Sequence, residues 1–253
     1  MKTYSVTDIG QKRKTNQDYV YCRKEKLGIL PNLFIVADGM GGHNAGDFAS
    51  RFAVEEFVRQ VGEGEGKTLI QTMEEAVNRA NRLLIEQAEE RPELKGMGTT
   101  FVAATIDGED MYVANIGDSR LYLIGQEEIM QITQDHSLVE EMIRRGELRR
   151  EEARFHPNKN VITRAMGANV GVVPDFFEVP LREGDIILLC SDGLSNMMDD
   201  REIFSVVRQN QGDIEKAGSE LLRLANEHGG RDNISIVLVG ECAGDGKDYA
   251  EMR

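Results

Sequence analysis

The chain has 253 residues, is 40% hydrophobic and carries a net charge of −14. That is enough apolar material for one sizeable core, and the acidic balance argues against nucleic-acid and anionic-membrane partners, both of which need a basic surface. Surplus Asp and Glu serve solubility but also attract cations, so charge alone leaves both readings open. In chain order, residues 1–9 alternate as a strand, without the basic-then-apolar order of a signal peptide. Residues 33–37 are a continuous apolar run closed by Asp38-Gly39, a buried strand. From about Ala45, Phe48, Phe52, Phe57 and Val61 give a helical stripe; Leu69, Met73, Ala76, Ala80 and Leu83 give a second at spacings of three and four. Apolar runs at 100–106, 111–116, 121–124 and 128–132 follow closely, with Asp107-Gly108 and Gly125-Gln126 as turns, and predict an antiparallel meander. Ser137 with Glu140 three residues on predicts a capping box on a short helix. Residues 186–190 and 234–239 read as two more buried strands, separated by a helix carrying Ile214, Ala217, Leu221, Leu222 and Ala225.

Helices, then a run of strands, then more helices suit an α+β domain better than a parallel sheet, and the many consecutive strands point to a sandwich of two antiparallel β-sheets covered by helices. One domain is expected over residues 1–242, and residues 243–253, which lack an apolar pattern, form a tail. Cys22, Cys190 and Cys242 show no paired spacing, so neither a metal clamp nor a disulfide framework is implied, and a cytoplasmic location fits. Cys190 beside Ser191-Asp192 invites a nucleophile reading, but in a buried apolar strand it is an inert thiol. No apolar run approaches a bilayer span.

Four aspartates share one context. Asp38, Asp118 and Asp192 each follow an apolar strand, and Asp232 immediately precedes one. An Asp-Gly at a strand end is an ordinary turn. If the four tips meet at one end of the fold, however, their repulsion and desolvation cost several kcal/mol unless cations neutralise them. All-oxygen ligands favour hard ions such as Mg²⁺ or Mn²⁺. Two such ions about 4 Å apart hold a shared water as hydroxide, which attacks phosphorus in line. A guanidinium that grips two phosphate oxygens completes the arrangement, and Arg13, five residues before Asp18, supplies one.

The stretches 13–18 (RKTNQD), 36–43 (VADGMGGH), 98–100 (GTT), 114–120 (ANIGDSR), 135–137 (DHS), 191–193 (SDG) and 232–233 (DN) cover the chain from about residue 5 to 240. Together they resemble the metal-dependent type 2C (PPM) family of protein serine/threonine phosphatases, in its bacterial form. The resemblance implies a four-layer αββα sandwich with a small flap at about 144–170. It implies two or three Mn²⁺ or Mg²⁺ ions, with Asp38 bridging two of them, the Gly39 carbonyl on one and Asp192 and Asp232 on the other. Asp118, with Asp192, resembles the ligands of a third ion. Asp18 would hold a water of the metal, Arg13 the substrate phosphate, and Asn233 would support the ligands from behind. The implied reaction is hydrolysis of phosphoserine and phosphothreonine by a water bridging two ions. The implied partners are phosphorylated proteins, a serine/threonine protein kinase among them, acted on by a monomer. Animal members carry a histidine directly after the Asp-Gly as the acid for the leaving alcohol. Here Met40 occupies that place, so the acid is unassigned between His43 and a metal-bound water.

Residues 144–164 carry six Arg and one Lys against three Glu, a net of +4 in an acidic chain. Either this stretch recruits acidic or phosphorylated segments, or it is a solvated helix with ordinary charge spacing. Two other functions compete: an inactive relative that only binds proteins, and a metal-dependent phosphodiesterase. Retention of every acidic ligand position opposes the first. Gly39-Met40-Gly41-Gly42 lacks the Lys-Ser/Thr of a nucleotide-binding loop, which opposes the second.

Overall fold

The computed structural model describes residues 1–42, 45–64, 68–210 and 212–241. His43, Cys242 and the expected tail at 243–253 lie outside the described residues. In chain order the elements are β1 (Lys2–Asp8), β2 (Asp18–Arg23), β3 (Leu33–Met40), α1 (Ala45–Glu63), α2 (Leu69–Glu90), β4 (Gly98–Thr99), β5 (Phe101–Asp107), β6 (Asp110–Ile116), β7 (Arg120–Ile124), β8 (Ile129–Gln131), α3 (Leu138–Arg144), α4 (Arg150–Ala153), β9 (Asp175–Pro180), β10 (Ile186–Cys190), α5 (Asp192–Ser195), α6 (Asp200–Gln209), α7 (Ile214–Glu227) and β11 (Ile234–Gly240). One sheet has the order β1-β11-β10-β7-β8; the other has β2-β3-β5-β6-β9, with β4 paired to β3. All pairings between these strands are antiparallel.

The central strands are buried on both faces, and their period of two divides the core into three layers. Phe34 and Val36 of β3 point between the sheets, where they join Val102, Val113, Leu121, Ile187, Leu189 and Val237. Leu33, Ile35 and Ala37 of the same strand face α1 and α2, packing with Ala53, Phe57, Met73 and Leu84. On the other sheet Leu188 and Cys190 face the opposite way, against Val207, Leu221 and Ala225 of α6 and α7. The expected αββα layering follows directly from these alternations. Among the described residues no helix is long and apolar enough to cross a membrane.

Four local expectations are corrected. The meander is two hairpins in different sheets: β5 pairs β6 in one, and β7 pairs β8 in the other, so the chain crosses between sheets at residues 117–119. The stripe of α2 runs through buried Leu84 rather than Leu83; both lie at helical spacing from Ala80, and packing selects the former. Ser137 caps α3 by accepting from the Glu140 N–H, but the Glu140 carboxylate turns away to Arg150 (2.7 Å), leaving half a capping box. The strands β2 and β9 and the helix α6 join the expected elements; β2 and β9 are edge strands, and most of their residues are only partly buried.

One close approach sets the mouth of the sandwich. A Cβ at Gly193 would lie 1.8 Å from the Asn233 carbonyl oxygen, so only glycine lets α5 seat on the start of β11. Gly193→Ala should lower the urea unfolding midpoint by the equivalent of about 2 kcal/mol. By contrast, Gly62→Ala near the end of α1, where the new Cβ meets only Leu27 Cδ1 at 3.4 Å, should hold or raise it.

Candidate active site

Asp18 opens β2 and lies directly opposite Asp38 of β3 in the antiparallel register. The backbone at Asp38 is fixed from the next strand: its N–H donates to Thr100 Oγ1 (2.8 Å), and its carbonyl accepts from Thr100 N–H (2.9 Å) and Thr99 Oγ1 (3.0 Å). Thr100 Oγ1 in turn bonds Ser119 Oγ at 2.7 Å, joining β3 to the crossing between sheets. The Gly98-Thr99-Thr100 stretch is therefore a clamp on Asp38. Gly39 donates its N–H to the Gln17 carbonyl (3.0 Å), and a Cβ there would lie 2.0 Å from the Gly46 oxygen of α1.

Asp118 sits on the crossing itself. Gly117 before it takes a φ of 101°, its N–H donates to His136 Nδ1 (3.0 Å), and its carbonyl accepts from the His136 N–H (2.9 Å). With Nδ1 accepting, the ring carries its proton on Nε2 and donates to Asp175 (2.9 Å), which also takes Arg164 (2.7 Å). Burial lowers the His136 pKa, so the ring is neutral near pH 7. His136 thus holds the crossing in place. Asp135 is likewise structural, gripping Arg120 through Nε (3.0 Å) and Nη2 (2.7 Å).

Asp192 and Asp232 approach from the other sheet. Asp192 is the first residue of α5; Asn196, one turn on, donates to its Oδ2 (2.9 Å). Ser191, just before it, donates to Asp18 Oδ2 (2.7 Å). Asp232 accepts from the Asn233 N–H (2.9 Å) and from Arg13 Nη2 (2.6 Å). Asn233 is buried. It donates to the carbonyls of Ile9 and Thr15 (3.0 Å each) and accepts from the Gln17 N–H (2.9 Å), pinning the loop that carries Arg13 to the start of β11.

The five carboxylates act on one another. Burial pushes Asp38 well above the usual carboxylate range, and the charges of Asp18, Asp192, Asp118 and Asp232 all push it further. Asp118 is raised well above that range by burial and then by Asp192 and Asp135. Asp18 is raised to about 7, burial again leading, and Asp192 to about 6 by burial and then Asp232. Among the described residues no three Asp, Glu, His or Cys side chains are drawn close enough to enclose an ion; Asp232 is turned to Arg13 and Asp192 to Asn196. Even so, the donor chemistry fits hard divalent cations. Of the four buried side-chain polar atoms without a partner among the described residues, two are Asp18 Oδ1 and Asp192 Oδ1, carboxyl oxygens of this cluster. A buried charged acceptor left unpaired is costly, and a divalent cation with oxygen ligands relieves that cost.

The basic segment lies alongside. A groove of about 600 Å³ is lined by Asp118, Asp192 and Asn196 and, from that segment, by Arg150, Arg154 and Lys159. Much of its positive charge is offset locally: Arg149 pairs with Glu152 (2.6 Å), Arg150 with Glu140 (2.7 Å), Arg145 with Glu141 (3.7 Å) and Arg164 with Asp175 (2.7 Å). For Arg149 and Arg150 this favours ordinary charge pairing over recruitment. Cys190 is fully buried and its thiol is pushed up to about 12, in keeping with an inert side chain.

Every site residue expected from sequence among the described residues gathers at this end of the sandwich. Sequence reading missed the groups that orient them: Ser191, Asn196, Thr100 and Ser119. The four-residue spacing of Asp192 and Asn196 was the available signal, since it puts both on one face of a helical turn.

Known proteins resemble the chain over nearly its whole length. The family model for protein phosphatase 2C matches residues 4–234. Protein phosphatase PhpP of Streptococcus pneumoniae is 42% identical over 250 residues, covering 94% of this chain and 97% of its own. The structure of the S. agalactiae serine/threonine phosphatase superposes with a TM-score of 0.87 at 37% identity, covering 94% and 98% of the two chains. The catalytic domain of serine threonine protein phosphatase PstP, in complex with two manganese ions, gives 0.81 at 33% identity over 94% and 96%.

A pH dependence follows for protein stripped with a chelator. The raised carboxyls make the folded state bind protons more tightly than the unfolded chain, whose aspartates titrate near 3.8. Their contribution to stability is complete below about pH 4 and is lost as pH rises through about 6 to 7. Mn²⁺ binds the ionised form. At a hundredfold excess over its dissociation constant it should raise the thermal midpoint by about 5 to 10 °C at pH 8, and by clearly less at pH 5.5. Equal gains at both pH values in calorimetry would show that the ion binds elsewhere.

Proposed function

The chain belongs to the protein phosphatase 2C family, and on that premise we propose that it hydrolyses phosphoserine and phosphothreonine in proteins at the acidic mouth of the sandwich. It is a metal-dependent hydrolase of phosphoproteins. The observation that carries the site assignment is the electrostatic convergence of four carboxylates on Asp38, with unpaired buried oxygens on Asp18 and Asp192. In this reading Asp38, the Gly39 carbonyl, Asp192 and Asp232 hold two divalent ions, Mn²⁺ or Mg²⁺. Asp118 and Asp192, which repel one another and line the same groove, hold a third. When bound, such ions activate water for attack on phosphorus and offset charge on the phosphate oxygens.

The chain's own residues do the positioning. Arg13 grips the phosphate oxygens through its guanidinium fork. To do so it exchanges Asp232 for the substrate, and the exchange is cheap: its side chain is 51% exposed and that of Asp232 29%, the range in which an ion pair contributes little. Asn233 keeps the Arg13 loop at the right height above β11. Asp18, oriented by Ser191, holds solvent beside Asp38. His136 is not free to protonate the leaving alcohol, because it is committed to Gly117 and Asp175.

Substrates of this class are made by protein serine/threonine kinases, so such a kinase is the enzyme this activity opposes. In this reading the protein acts as a monomer in the cytoplasm, a compartment that the free thiols of Cys22 and Cys190 suit.

With a phosphothreonine peptide, phosphate release should require Mn²⁺ or Mg²⁺ and stop on chelation. Asp38→Asn should lower kcat/KM by at least about a hundredfold. Arg13→Ala should act mainly on KM for the peptide. Release unaffected by chelator, or an active Asp38→Asn enzyme, would refute the assignment.

A further inference from the structure

We propose that Asn196 is a positioning residue that couples the basic segment at 144–164 to the cation site through Asp192, an inference that rests on Asp192 holding a cation. Its amide is forked between two elements. Nδ2 donates to Asp192 Oδ2 (2.9 Å), Oδ1 accepts from Lys159 Nζ (2.9 Å), and its backbone carbonyl accepts from Arg154 Nη2 (3.2 Å).

The orientation of that amide is forced by chemistry. An ammonium only donates and a carboxylate only accepts, so the oxygen must face Lys159 and the nitrogen Asp192. The consequence for Asp192 is specific. Oδ2 is occupied by Asn196, while Oδ1 is buried and has no partner. Asn196 therefore fixes the carboxylate in the one orientation that presents a free oxygen to the cluster. The backbone of Asn196 is held by α5, its N–H donating to the Asp192 carbonyl (2.8 Å), but its side-chain oxygen is held by Lys159. Groups that orient a ligand in this way typically change metal affinity by about 10- to 100-fold. Linkage then requires reciprocity: docking of the basic segment tightens the ion at Asp192, and the ion tightens docking.

Lys159 separates this coupling from simple electrostatics. A positive charge near Asp192 opposes cation binding, so if Lys159 acted by charge alone its removal would tighten the ion. If it acts by holding Asn196, its removal weakens the ion.

The test is calorimetric titration of the chelated, full-length protein with Mn²⁺, beside limited trypsin digestion with and without Mn²⁺. Asn196→Ala should weaken Mn²⁺ binding about tenfold, and Lys159→Met should weaken it several-fold. Mn²⁺ should slow tryptic cleavage after Arg149, Arg150 and Arg154 in the wild type and not in Asn196→Ala. Tighter binding in Lys159→Met, or wild-type affinity in Asn196→Ala, overturns the coupling. Asp192→Ala keeps the two readings apart. If it loses Mn²⁺ while Asn196→Ala does not, only the coupling fails; if it binds Mn²⁺ normally, the cation assignment fails and takes the coupling with it. Should Asn196→Ala not fold, Lys159→Met, on the surface segment, decides the sign.

Discussion

Repulsion among like charges governs this end of the molecule. Asp38 feels four other carboxylates, an arrangement no chain would collapse into for its own stability. It persists because each aspartate is mounted on backbone fixed for other reasons. Asp38 is the extension of a strand buried on both faces, Asp118 the crossing between sheets, Asp192 the first residue after a core strand, and Asp232 the approach to another. The stability of three apolar layers is spent holding five negative groups in one place.

The donors around those groups are chosen to orient without neutralising. Ser191 and Asn196, which flank α5 at either end, each bond one oxygen of a carboxylate and leave the other without a partner. Neither donor carries charge. A lysine or arginine in the same places would orient the aspartates equally well and would also compete with a cation. Among the described residues, the direct ion pair in the group, Arg13 with Asp232, is on the exposed side, where it is weak. The site is therefore rigid and still electrostatically hungry.

Much of this was legible in the sequence because buried strands have plain signatures. The apolar run before Asp38 and those at 186–190 and 234–239 declared both the layers and the positions of three aspartates. The sheet exchange at 117–119 was not legible: β6 and β7 read as neighbours in one meander, and nothing in a two-residue period says to which sheet a strand belongs. The edge strands β2 and β9 were passed over because their apolar runs, residues 19–22 and 176–177, are short and flanked by charged residues. Ser137 and Glu140 matched a capping pattern, yet tertiary context gave the Glu140 carboxylate to Arg150. The orienting groups Ser191 and Asn196 were in view as letters, but a hydroxyl or an amide has meaning only once its partner is placed.

The first and last strands have a consequence for biosynthesis. Among the described residues β1 pairs with β11 alone, Asp8 opposite Ile234, and the Arg13 loop is pinned by Asn233. These segments are separated by nearly all of the other strands and helices, and contacts so distant in sequence form late. A nascent chain can build the sheet that carries Asp38 long before Arg13 has anything to hold it. The loop that carries Arg13 is thus held by the most sequence-distant contacts of the site, and it takes its place only when β11 does.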